Sequence, residues 1–147
     1  MGLVLNSFDV DRSLARLMRR PDWVGKRTGP TWLDRFPAHP ASEEKQLPFV
    51  QLCSPETLHR ENSAARKPEL AMLLGKPDAD YPPGNFDPEA GYVIGFTDFS
   101  DSAICVDLRP PTARIIYECW APQHPVYATA FQTIADFVTF YVAQHGP

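Results

Sequence analysis

Between residues 103 and 120 the chain alternates twice in succession, and no other stretch limits the fold as strongly. In the first run Ile104, Val106 and Leu108 share one face while Cys105 and Asp107 take the other. Side chains on a strand point to opposite sides in turn, so this spacing predicts a strand over 103–108. After the turn Arg109-Pro110-Pro111-Thr112, the residues Ala113, Ile115, Tyr117 and Cys119 oppose Arg114, Ile116, Glu118 and Trp120. Ahead of both, 92–96 reads as a strand that reaches Ala103 through the turn Thr97-Asp98-Phe99-Ser100-Asp101. Three strands joined by short turns predict an antiparallel meander.

Helical periodicity brackets this meander. Thr129 and Gln132 form a T-x-x-Q capping box, and behind them Phe131, Ile134, Ala135, Val138, Tyr141 and Val142 fall on one stripe. A C-terminal amphipathic helix across the sheet follows, with Phe137 and Phe140 at its margins. Near the N-terminus Val10, Leu14, Leu17 and Met18 line one side of a helix over 9–20, with Arg16, Arg19 and Arg20 where cations suit the dipole and Pro21 as the stop. From 22 to 46 the mixture of Trp23, Trp32 and Phe36 with Gly and Pro predicts an irregular wrap pinned by buried rings. Residues 47–53 read as a strand, and Ser54-Pro55-Glu56 opens a helix that runs to about Arg66. A short helix over 68–74 closes at Gly75, and 76–91 is a proline-rich loop. The fold class expected is α+β: an antiparallel meander sheet flanked by helices, with the C-terminal helix packed on it. One domain over 1–147 is expected, 1–46 being the helix and wrap and 47–147 carrying strand, helix, acidic loop, meander and helix.

Composition narrows the chemistry. With 147 residues and 44% hydrophobic content, one core forms without disulfide or metal staples. Cys53, Cys105 and Cys119 lack a C-x-x-C pair or a histidine at ligand spacing, so they read as reduced and buried. No apolar run approaches the roughly 18 residues of a membrane span, and a cytoplasmic protein is expected. The net charge of -4 argues against a general nucleic-acid binder, which needs clustered Lys and Arg.

Phosphate-loop, dinucleotide, nucleophile-elbow and zinc-protease signatures are all missing from the sequence, so no cofactor and no metal is expected. Asp78-Ala79-Asp80 with Glu89 has the ends of a calcium loop, but Pro82 and Pro83 stand where such a loop needs an oxygen ligand and Gly. Asp98 and Asp101 sit in a tight turn, where Asp bonds its own backbone. The charge distribution says more. Asp78, Asp80, Asp87, Glu89, Asp98, Asp101 and Asp107 fall between Pro77 and Leu108 with no Lys or Arg, while residues 12–35 hold seven basic residues and two acids. An acidic end and a basic end of one domain are expected, and the acidic end can steer a basic protein.

The segment from Gly91 to Tyr141 resembles the SUKH superfamily, which includes the yeast cell-wall assembly regulator and many bacterial immunity proteins. The resemblance rests on Gly95-Phe96 before an acidic turn, Ile104-Cys105-Val106-Asp107-Leu108, Arg114-Ile115-Ile116-Tyr117, and Ala130-Phe131-Gln132-Thr133-Ile134-Ala135-Asp136-Phe137. It implies a non-enzymatic α+β domain that binds a protein partner, typically neutralising a toxin such as a nuclease. The partner expected is a basic toxin domain, met by Asp87, Glu89, Asp98, Asp101 and Trp120. A regulatory or scaffold module for a nontoxic partner is the alternative. A small enzyme using Asp107, Glu118 or Cys105 in a pocket under the 77–91 loop is a third reading.

Overall fold

The computed structural model describes residues 2–5, 8–27, 30–36, 50–65, 75–97, 102–121 and 124–147. Two short strands, β1 (Val4–Leu5) and β2 (Phe8–Asp9), form a small antiparallel sheet. The helix α1 (Arg12–Met18) follows, capped by the Asp11 carboxylate, which accepts from the amides of Ser13 and Leu14. Then come β3 (Gly25–Arg27), α2 (Pro30–Leu33), β4 (Val50–Leu52), α3 (Pro55–Ala65), β5 (Pro83–Gly84), β6 (Gly91–Thr97), β7 (Ser102–Asp107), β8 (Arg114–Ala121), β9 (His124–Phe131) and α4 (Ile134–His145). The strands from β3 onward form one seven-stranded antiparallel sheet ordered β3-β4-β6-β7-β8-β9-β5. The chain is therefore α+β, with the C-terminal helix packed on the sheet, as the sequence predicts.

The alternation along β7 and β8 divides the sheet into two sides. Ile104, Val106, Ile115, Tyr117 and Cys119 join Leu14, Leu17, Phe137 and Tyr141 in the main core. Cys105 and Ile116 face the other way, into a second cluster with Phe86, Val93 and Tyr127. Each fully buried Leu, Ile or Phe contributes about 1.5–3 kcal/mol relative to exposure, so both clusters hold the sheet. The wrap is pinned as its rings suggest, with Trp23, Trp32 and Phe36 buried and the Trp23 indole N–H donating to the Cys53 carbonyl at 2.8 Å.

Five expectations are corrected. Among the described residues the 22–46 wrap contains two regular elements, α2 and the strand Gly25–Arg27, which pairs with β4 at one edge of the sheet. The meander has four strands, since β9 pairs with β8 along its length. The N-cap of the C-terminal helix is accordingly Thr133, whose hydroxyl accepts from the Asp136 amide at 3.0 Å, while Thr129 and Phe131 sit in β9. The core face of α4 is Ile134, Phe137 and Tyr141, so Phe137 lies at the centre of the stripe. Finally the 76–91 loop touches the sheet, with Pro83–Gly84 pairing to β9 as its other edge. The helix expected at 68–74 lies outside the described residues.

At the free edge of β6 a side chain replaces a strand. After one last bond, from the Cys53 amide to the Ile94 carbonyl at 3.3 Å, the pairing of β4 ends and Asn62 of α3 takes over: its Oδ1 accepts from the Val93 amide at 2.6 Å and its Nδ2 donates to the Val93 carbonyl at 3.1 Å. Asn62 is buried, so these bonds satisfy backbone groups that water cannot reach.

Candidate functional site

The acidic loop predicted from sequence is a braced strap, residues 75–90, across the outer side of the sheet. Gly75 bridges to Asn85, and Gly84 adopts φ +82°, where a Cβ would run into the Lys76 carbonyl and the Asp78 amide. Only glycine lets the strap close on itself there. The Thr129 hydroxyl holds it to the sheet by donating to the Pro82 carbonyl at 2.9 Å. Phe86 drives its ring into the outer cluster, 5.7 Å from the Tyr127 ring.

Within the strap the acids also shape the backbone. Asp78 Oδ1 accepts from the Asp80 amide at 2.8 Å, and Asp87 Oδ1 accepts from the Glu89 amide at 2.9 Å. Such Asx turns hold each pair in one local geometry. Four acids thus stand on a strap that contains no Lys or Arg after Lys76.

Arg109 fastens the strap to the end of the meander. Its guanidinium donates to Asn85 Oδ1 at 2.9 Å, to the Asn85 carbonyl at 2.6 Å and to Asp107 Oδ1 at 2.8 Å. Arg114 donates to the other oxygen of Asp107 at 2.9 Å. Asp107 is 1% exposed. Burial pushes its carboxyl up, but the hydrogen bonds from Arg109 and Arg114 outweigh that and hold it below the usual carboxylate value. Asp107 is therefore a fixed structural anion at the root of the strap.

The predicted contact residues separate along the strands. Asp87 is half-buried and Glu89 exposed, and both lie at the end where Gly91 faces Asp107 and the Leu108 amide bonds the Ala90 carbonyl. Asp98 and Asp101 lie outside the described residues. Their described neighbours Thr97 and Ser102 pair with each other at the opposite end of β6 and β7. Trp120 lies toward that opposite end, on β8 in register with Pro125.

Of the groups a catalytic reading would use, Cys105 and Asp107 are buried, while Glu118 is half-buried. Cys53, Cys105 and Cys119 are free thiols and buried. Burial, reinforced by Glu118 and Asp107, pushes the Cys105 thiol well above its ordinary value, and burial first among its causes pushes Cys119 up to about 12. Thiolates at those sites are disfavoured. Glu118 is half-buried on the outer side and pushed up to about 7 by burial. Among the described residues, no three His, Cys, Asp or Glu side chains gather to hold a metal ion, and no helix is long and apolar enough to cross a membrane.

A group of basic residues lies on and beside α1. Arg12, Arg16 and Arg19 are exposed along α1. Arg20 instead closes the α1–α4 junction, donating to both oxygens of Asp22 at 3.0 Å and to the carbonyls of His145 and Gly146. The Tyr141 hydroxyl donates to Asp22 at 2.7 Å, and Arg27 reaches both Tyr141 and the Asp22 carbonyl. The sequence showed the charge asymmetry; the Arg109 brace was hidden because it joins residues far apart in the chain.

Comparison with protein-family models, with curated proteins and with solved structures found no match to this chain.

Proposed function

We propose that this chain is a non-enzymatic protein-binding domain of the immunity type, which neutralises a basic toxin domain through its acidic strap. The observation that carries this reading is the strap itself. Asp78, Asp80, Asp87 and Glu89 stand on a backbone held by two Asx turns, a left-handed glycine and the Arg109 fork. A surface fixed before binding loses little conformational freedom on docking, and a single-sign field raises the association rate with an oppositely charged partner.

The positions of Cys105 and Asp107 favour binding over catalysis. One is a buried thiol and the other an anion taken up by two arginines, and a nucleophile or general acid needs the reverse of both. A cytoplasmic location fits this role, since the free cysteines suit a reducing compartment. The test is calorimetric titration with the product of the neighbouring gene, paired with co-expression. One-to-one binding and rescue of growth support immunity; binding without toxicity to rescue supports the regulatory-module alternative; a folded protein that does not bind that product removes the immunity reading.

A further inference from the structure

On α4, Ile134, Phe137 and Tyr141 are buried in the core, Val138, Phe140 and Val142 are half-buried against its margin, and Ala135, Asp136, Thr139, Ala143 and Gln144 are exposed. Part of that margin forms one wall of an open groove of about 560 Å³ between α1 and α4, with Leu17, Val138 and Val142 as its apolar lining and Arg16 and Arg20 beside them.

Among the described residues, the charged side chains that line this groove are Arg16 and Arg20, with Ser13, Pro21 and Pro147 beside them and no Asp or Glu. Arg20 is already neutralised by Asp22, whereas the exposed Arg16 has no ion-pair partner among the described residues. Arg16 also borders a second hollow on the far flank of α1, shared with Arg12, Arg19 and the carboxylate-bearing Asp9. An apolar lining flanked by an uncompensated cation matches a helix with an apolar ridge and an acidic flank. Exposed Ala135, Thr139 and Ala143 are small enough for a third helix to approach α4 closely.

We infer that the α1–α4 groove is a second docking surface, on the opposite side of the sheet from the acidic strap, and that its occupant is an acidic amphipathic helix of a protein partner. The helix lays its apolar ridge over Leu17, Val138 and Val142 and presents carboxylates to Arg16. This surface is independent of the strap, so one protein can hold a basic and an acidic partner together.

The test titrates the isotopically labelled full chain with a synthetic amphipathic helical peptide of about 20 residues, long enough to be helical, with a Leu ridge and a Glu flank. A second peptide carries Lys in place of Glu. The inference expects shifts confined to the resonances of Ser13, Arg16, Leu17, Val138 and Val142, binding at least about fivefold weaker for Arg16→Glu, and no comparable binding of the Lys peptide. Arg16 is exposed, so Arg16→Glu keeps the fold, and its circular dichroism checks this. Equal binding of both peptides, or no binding of the Glu peptide, overturns the inference. Self-association in sedimentation that Val142→Glu abolishes also overturns it, by making a second copy the occupant.

Discussion

Arg109 holds Asn85 by both its side-chain oxygen and its carbonyl, at 2.9 and 2.6 Å, while the same guanidinium grips the buried carboxylate of Asp107. One planar fork thereby ties the acidic strap to the root of the meander. A lysine cannot reproduce three directed bonds from one point charge. Arg109→Lys is expected to lose about 1–3 kcal/mol of stability at neutral pH, because Asp107 keeps Arg114 and the residue-109 amide but loses the guanidinium fork that also holds Asn85. Hydrogen exchange should speed up in residues 85–90 and stay unchanged in α4. The loss should also shrink in acid. The Asp107 carboxyl titrates lower when folded than when unfolded, so its contribution is complete above about pH 4 and fades as pH falls through the folded value. Urea melts of wild type and variant at pH 7 and pH 3 check both parts.

Asn62 at the edge of β6 predicts a larger effect from a smaller change. Asn62→Ala leaves the Val93 N–H and C=O without their side-chain partner in a buried place, at a cost of about 2–4 kcal/mol. Asn62→Asp should not rescue it, because the carboxylate lacks the donor to the Val93 carbonyl and places a charge in the interior. Equal stability of wild type and Asn62→Ala in urea titration would contradict this account of the edge.

Glu118 makes stability depend on pH in the opposite sense to Asp107. Its folded value, about 7, lies above that of an unfolded glutamate, so the folded state holds the extra proton between those values. The side chain therefore weakens the fold as pH rises from about 4.5 to 7, and the penalty is complete above. Glu118→Gln should be more stable than wild type by roughly 1–3 kcal/mol at pH 8 and nearly equal at pH 4.5. Thermal melts across that range test it.

The parts of the fold legible in sequence are those where one local pattern acts without competition. The alternation from Ile104 to Cys119 placed β7 and β8 and their core faces, and Ser54-Pro55-Glu56 marked the start of α3, where Ser54 Oγ accepts from the Thr57 amide. β9 escaped because Thr129 and Gln132 mimic a helix start, while pairing with β8 and β5 overrides that local preference. β3 and β5 are three and two residues long, too short for any period to show. The acidic residues of the candidate site were visible as a charge run. Their bracing was not, because Arg109 and Asn85 are 24 positions apart and meet only once the strap crosses the sheet.

The central claim is that the strap's charge drives recognition of a basic partner, and stopped-flow association with the neighbouring gene's product tests it most directly. The variant combines Asp78→Asn, Asp80→Asn, Asp87→Asn and Glu89→Gln. Asn keeps the Asx-turn acceptor at positions 78 and 87, so the charge leaves while the geometry stays. The account predicts association slowed about tenfold or more at low salt, with a flatter dependence on ionic strength and an unchanged melting temperature. Association at the wild-type rate with the wild-type salt dependence would contradict it.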